Sequence, residues 1–93
     1  RAAIAVATAV RDDVVELTNS HWRFSRSALQ RELGLDSLQV LNDFEALALS
    51  LPRLKPHQLR PHGALPAATG TLAVIGPGTG LGVGGVIPTA QGW

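Results

Sequence analysis

The run Val74-Ile75-Gly76-Pro77-Gly78-Thr79-Gly80-Leu81-Gly82-Val83-Gly84-Gly85-Val86 takes a β-branched segment straight into a glycine-rich turn that carries one hydroxyl, Thr79. Glycine has no Cβ, so such a turn lets bare backbone N–H groups approach a ligand closely. Concave backbone of this kind suits anions, phosphate above all. About thirty residues earlier stands Val40-Leu41-Asn42-Asp43-Phe44-Glu45-Ala46, an apolar strand ending in a carboxylate. Ligands of open α/β sheets usually sit at the carboxyl ends of strands. A phosphate cradle and an acid at a strand end together point to phosphoryl transfer, with Asp43 as base. Asn42 beside it offers a donor and an acceptor to a hydroxyl-bearing substrate.

Each of these features also has a plainer explanation. The glycine run would serve equally as a structural hairpin corner. Asp43 would serve as the N-cap of a following helix, a position that Asp favours; capping and catalysis do not exclude each other. Asn42 would serve as a turn residue. Two familiar glycine motifs are ruled out. A Walker A loop needs Gly-Lys-Ser/Thr ahead of a helix, and no lysine lies here. Gly80-Leu81-Gly82-Val83-Gly84-Gly85 fits G-x-G-x-x-G, but Val86-Ile87-Pro88 after it reads as strand and then break, not as a helix. His21, His57 and His62 form no recognised ligand set, so no metal site is expected. Asp12-Asp13 reads as a solvated turn, and Trp22 as a packing residue under a loop.

The elements that must position these residues follow from pattern. Ile4–Ala9 reads as a strand buried on both faces, Arg11-Asp12-Asp13 as a polar turn, and Val14–Thr18 as a second strand closing a hairpin with the first. Residues 19–24 look irregular. Ser25 is a candidate N-cap for a helix over Arg26–Leu33, with Ala28, Leu29 and Leu33 facing inward and Gly34 as its left-handed stop. Leu38–Leu41 reads as a buried central strand. Phe44, Leu47, Ala48 and Leu51 then fall on one helix face, and Pro52 ends that helix. Arg53 to Gly70, with Pro56, Pro61 and Pro66, reads as a surface loop holding at most one helical turn, and as a change of structural unit. Thr71–Ile75 and Val83–Ile87 read as strands, which places the glycine run at a β-turn-β corner.

Composition narrows the class. The chain has 93 residues, a formal charge of +1, no cysteine and no methionine. An apolar fraction of 45% is that of a globular chain. The absence of Met, with Arg1 first, reads as an internal fragment. Without cysteine there is no disulfide framework, which fits a reducing cytoplasm. The mild gathering of basic residues from Arg53 to Arg60 reads as a solvated loop, so no nucleic-acid partner is expected. The apolar opening Ala2–Val10 is too short to span a bilayer, so no membrane association is expected either.

Taken in order, these segments resemble the bacterial glucokinases, which are hexokinase-like sugar kinases. The carriers are Ala2–Ala7, the run from Leu17 to Ser25, and Arg31-Glu32-Leu33-Gly34-Leu35. To these add Leu41-Asn42-Asp43-Phe44-Glu45-Ala46 with Ala48-Leu49-Ser50-Leu51-Pro52, and Gly76-Pro77-Gly78-Thr79-Gly80-Leu81-Gly82-Val83. The resemblance implies an α/β fold, part of an actin-like ATPase (ribonuclease H-like) two-domain sugar kinase with a mixed sheet and flanking helices. Residues 1–52 would hold the C-terminal part of the small domain and the interdomain connection. Residues 53–93 would begin the large domain with the second phosphate loop. Asn42 and Asp43 match the family's sugar-contacting pair, and Asp43 its catalytic base. Gly78, Thr79, Gly80 and Gly82 match its phosphate-binding loop.

ATP with Mg²⁺, and glucose, are the implied cofactor and substrate of a cytoplasmic, glycolytic enzyme, and a homodimer is open for the full-length protein. The family's first phosphate loop, its adenine site and its Glu-Gly-Gly-His sugar segment have no counterpart here, so residues 1–93 alone are expected to be inactive. A kinase for another hexose and a non-catalytic sugar-sensing domain remain the alternatives.

Overall fold

The computed structural model describes residues 1–18, 20–63, 69–78 and 80–93. The fold is mixed α/β: β1 (Ala2–Val6), β2 (Val14–Glu16), β3 (Arg23–Ser25), α1 (Arg26–Glu32), β4 (Leu38–Asn42), α2 (Asp43–Ser50), β5 (Leu72–Pro77) and β6 (Leu81–Val86). Single 3₁₀ turns cover Leu51–Arg53 and Pro56–Gln58. Among the described residues the strands form three pairs: β1 with β4, β2 with β3, and β5 with β6. The chain clusters into two compact units, Arg1–Asp43 and Phe44–Trp93.

In the first unit β1 and β4 run parallel, with Ala2 opposite Leu38, Ile4 opposite Val40 and Val6 opposite Asn42. Val15, Leu38 and Val40 are buried, and Ala2, Ile4, Val6, Phe24, Leu29 and Leu35 pack around them. Complete burial of a side chain like Val15, 1% exposed, stabilises by roughly 1.5–3 kcal/mol. The expected β1–β2 hairpin does not form. β2 pairs antiparallel with β3, Val15 opposite Phe24. The cause lies in Asp13, which is no mere solvated turn residue. Its carboxylate accepts hydrogen bonds from the Ser25 hydroxyl, from the Ser27 backbone N–H at 2.9 Å and from the Ser27 hydroxyl at 3.0 Å. Its carbonyl accepts from the Arg26 N–H at 2.8 Å. These bonds lay β2 beside the start of α1 and leave β1 to β4. β1 also stops at Val6 and alternates between half-buried and exposed residues, so it is not buried on both faces.

Ser25 caps α1 as its type dictates, accepting from the Ala28 N–H at 3.2 Å. At the other end Leu35 N–H bonds to the Gln30 carbonyl and Gly34 N–H to the Arg31 carbonyl. With Gly34 at φ 62°, this is the two-bond helix stop that glycine permits. The stop takes Leu33 out of the helical phase; it is 61% exposed, and Leu35 packs on the core in its place. Trp22, expected to pack under a loop, is instead 71% exposed just ahead of β3.

In the second unit β5 and β6 form an antiparallel hairpin whose last pairs before the turn are Gly76 with Gly82 and Pro77 with Leu81. Leu72, Val74, Gly76, Gly82, Gly84 and Val86 share one face; Ala73, Ile75, Leu81 and Val83 share the other. Helix α2 lies on the glycine face. Ala48, one turn beyond Phe44, is 1% exposed, whereas Leu47, expected on the inner side, is exposed. Pro52 follows α2 within a 3₁₀ turn, which closes the helix where its sequence predicts.

Candidate functional site

Asn42 is the last residue of β4, and Asp43 is the first residue of α2. The strand ends and the helix begins without an intervening loop, so the two polar side chains stand at the carboxyl end of a parallel strand. The carboxylate then lies in the first helical turn, where the N–H groups and the helix dipole favour negative charge. Asp43 is thus inside the helix, not the residue ahead of it as the capping pattern suggested. Its side chain is exposed, while Asn42 is half-buried. The Asn42 amide Nδ2 donates to the Thr8 carbonyl at 2.9 Å. Thr8 lies just past the end of β1, so this bond ties together the ends of the two parallel strands. The Thr8 hydroxyl in turn accepts from the Thr18 hydroxyl at 3.2 Å. Thr8 and Thr18 line an open polar cleft of about 570 Å³, shared with Arg11, Asp12, Ser20 and His21. Sequence reasoning passed over Thr8, since its contribution is a backbone carbonyl and no side-chain pattern marks it.

The glycines of the second unit divide into two kinds. Those of the stem are required by packing. A Cβ on Gly76 would come within 2.6 Å of the Phe44 ring, and one on Gly84 within 2.6 Å of the Phe44 carbonyl oxygen. A Cβ on Gly82 would overlap the Phe44 ring itself. Such contacts cannot stand beside an ordinary side chain, so these glycines admit the first turn of α2 onto the sheet.

The glycines of the turn are different. A Cβ on Gly80 would meet nothing within 4 Å, and one on Gly78 would meet only the Gly80 carbonyl, at 3.9 Å. Gly78 N–H donates to the Gly80 carbonyl at 2.8 Å. Thr79 lies outside the described residues. Packing therefore accounts for Gly76, Gly82 and Gly84, whereas among the described residues nothing packs closely on Gly78 or Gly80.

Among the described residues no group of three or more His, Asp or Glu side chains is placed to hold a metal ion. No helix is long and apolar enough to cross a membrane. The structure shifts the titration of the Asp13 carboxyl. The hydrogen bond from Ser25, then that from the Ser27 backbone, hold it below the usual aspartate range.

A kinase class is consistent with an acid at a strand end and a glycine turn, and comparison with known proteins narrows it. Residues 1–93 match the family model named Glucokinase, and the chain belongs to the glucokinase family. It is 52% identical over 93 residues to the glucokinase of Chromobacterium violaceum, covering 99% of this chain and 27% of that protein. It is 50% identical over 91 residues to the glucokinase of Paramagnetospirillum magneticum, covering 97% of this chain and 28% of that protein. A crystal structure of a glucokinase from an Antarctic psychrotroph superposes with a TM-score of 0.85 at 36% identity, over 99% of this chain and 29% of that one. The chain thus spans a little over a quarter of the length of these relatives.

Proposed function

We propose that the protein containing this chain transfers the γ-phosphoryl group of ATP to the 6-hydroxyl of glucose. The observation that carries the reading is the Asn42–Asp43 pair at the junction of β4 and α2, in a chain of the glucokinase family. A sugar hydroxyl is a poor nucleophile at neutral pH. Asp43 accepts its proton as the new O–P bond forms. Asn42, held by the Thr8 carbonyl, binds a neighbouring hydroxyl and fixes the line of attack. The turn with Gly78, Thr79 and Gly80 binds phosphate oxygens through backbone N–H groups and the Thr79 hydroxyl, with Gly82 supporting it from the stem. Mg²⁺ would arrive with the nucleotide and neutralise phosphate charge; the described residues offer it no ligand cluster, and none of the steps above runs through it.

In this reading residues 1–52 belong to the small domain and interdomain connection of an actin-like sugar kinase, residues 53–93 begin its large domain, and closure around the sugar keeps out water, the competing acceptor. The enzyme acts in the cytoplasm, in glycolysis. The test is ATP-dependent formation of glucose 6-phosphate by the purified full-length protein, with mannose and fructose assayed alongside. Faster turnover of another hexose would reassign the substrate. No turnover of any hexose, with intact sugar binding, would make the protein a sensor.

A further inference from the structure

The mechanism proposed above leaves one prominent side chain without a task. Phe44 directly follows Asp43 in the first turn of α2. Its ring rests on Gly76 and Gly82, which face each other across the hairpin. That pair is the last on this face before the turn that contains Gly78 and Gly80. One aromatic ring therefore joins α2, at Phe44, to the stem of the glycine turn. The glycine at position 84 adds to the grip, since the Phe44 carbonyl itself lies against it.

We infer that Phe44 is a positioning residue for phosphoryl transfer: lodged over Gly76 and Gly82, it fixes the first turn of α2 on the stem of the phosphate-binding turn. The inference rests on the reading of Asp43 as base and of the turn as phosphate site. A ring of fixed shape against two side-chain-free residues allows little sliding, and interiors packed in this way respond to a single added methyl group. Displacing the ring shifts the helix start against the stem. Turnover then suffers, because misplacement of a reacting group by about 1 Å can cost as much as 10²-fold. Glucose affinity suffers less, since Asn42 keeps its own anchor on Thr8.

Gly76 is outside the proposed phosphate contacts, so Gly76→Ala in the full-length enzyme is the direct test. Its kcat is expected to fall roughly tenfold while the glucose KM stays within about twofold. Adding Phe44→Leu, which frees room for the new methyl, is expected to restore most of that loss, a coupling that a double-mutant cycle measures. Unchanged kcat in a folded Gly76→Ala enzyme overturns the inference. So does a pair in which only the thermal midpoint recovers. Should Gly76→Ala not fold, Phe44→Leu alone decides: reduced kcat with native circular dichroism supports the inference, and wild-type kcat overturns it. If neither single variant nor the pair folds, the contact is purely structural and the inference fails. Asp43→Asn run in parallel separates the two readings: near-wild-type kcat there removes the base and the inference with it, whereas a large loss there beside unchanged kcat in Gly76→Ala overturns the inference alone.

Discussion

In the first unit, Asn42 and Asp43 bring polar side chains to a strand end, and hydrogen bonds reaching from Thr8 and Thr18 hold that corner together. In the second unit the hairpin presents backbone, and what shapes it is the lack of side chains at Gly76, Gly82 and Gly84. One region is defined by the groups it displays, the other by the groups it omits. The difference teaches caution about glycine motifs. Spacing alone puts Gly78, Gly80 and Gly82 into a single phosphate-binding set, yet Gly82 already has a packing partner in Phe44, while among the described residues nothing packs closely on the other two.

The largest expected effect falls on the first of these regions. Asp43→Asn in the full-length enzyme should lower kcat on the order of 10²–10⁴-fold, the usual worth of a general base, with a smaller change in glucose KM. Asn remains tolerable in the first helical turn, so folding should survive. Steady-state kinetics on a variant with native circular dichroism is the check, and near-wild-type kcat would reduce Asp43 to a helix-start residue.

A second pair of substitutions sharpens the division among the glycines. Gly82→Ala forces a methyl group into the Phe44 ring and should cost about 1–3 kcal/mol of stability, the range for overpacking. Gly80→Ala meets open space and should leave stability within about 0.5 kcal/mol, the range for surface changes. Its methyl group instead stands where a phosphate would approach, and kcat/KM for ATP should fall roughly tenfold, the worth of one weakened hydrogen bond to a charged group. Thermal melts and ATP kinetics on both variants decide the matter. If Gly80→Ala lost stability and kept ATP kinetics, stem and turn would be one structural unit.

The smallest effect concerns the frame of the first unit. The Asp13 carboxyl is held below its ordinary value by Ser25 and Ser27. Its stabilising contribution is therefore complete above the unfolded-state value of about 3.9 and disappears as pH falls through the lower folded-state value. Asp13→Asn should melt earlier than the wild type at neutral pH and converge with it in acid. A melting difference that stayed constant from neutral to acid pH would mean that the charge is irrelevant.

Local signals were the legible part of this fold. Ser25, Gly34 and Pro52 mark helix boundaries through their own chemistry, and the structure has each boundary within a residue or two of its pattern. The hairpin at the glycine run was equally readable, because β-branched segments flank a turn. Partnerships between distant segments were not. Nothing near β1 says that it pairs with β4 instead of β2, and Asp13 reaches residues twelve and fourteen positions away. The candidate site was legible as residue types, Asn42 and Asp43 together with the glycines. The roles of Thr8 and Phe44 were hidden, one acting through a carbonyl and the other through the emptiness opposite it.

The outward face of the hairpin bears on handling at the bench. Ile75, Leu81 and Val83 are 66%, 70% and 60% exposed there, and among the described residues β5 and β6 pair only with each other. Open strand edges beside an apolar surface template pairing with other chains. Residues 1–93 expressed by themselves should therefore self-associate as concentration rises, visible as growing light scattering, and a threonine in place of Val83 should delay the onset. Material that stayed monomeric at high concentration would show these edges to be harmless.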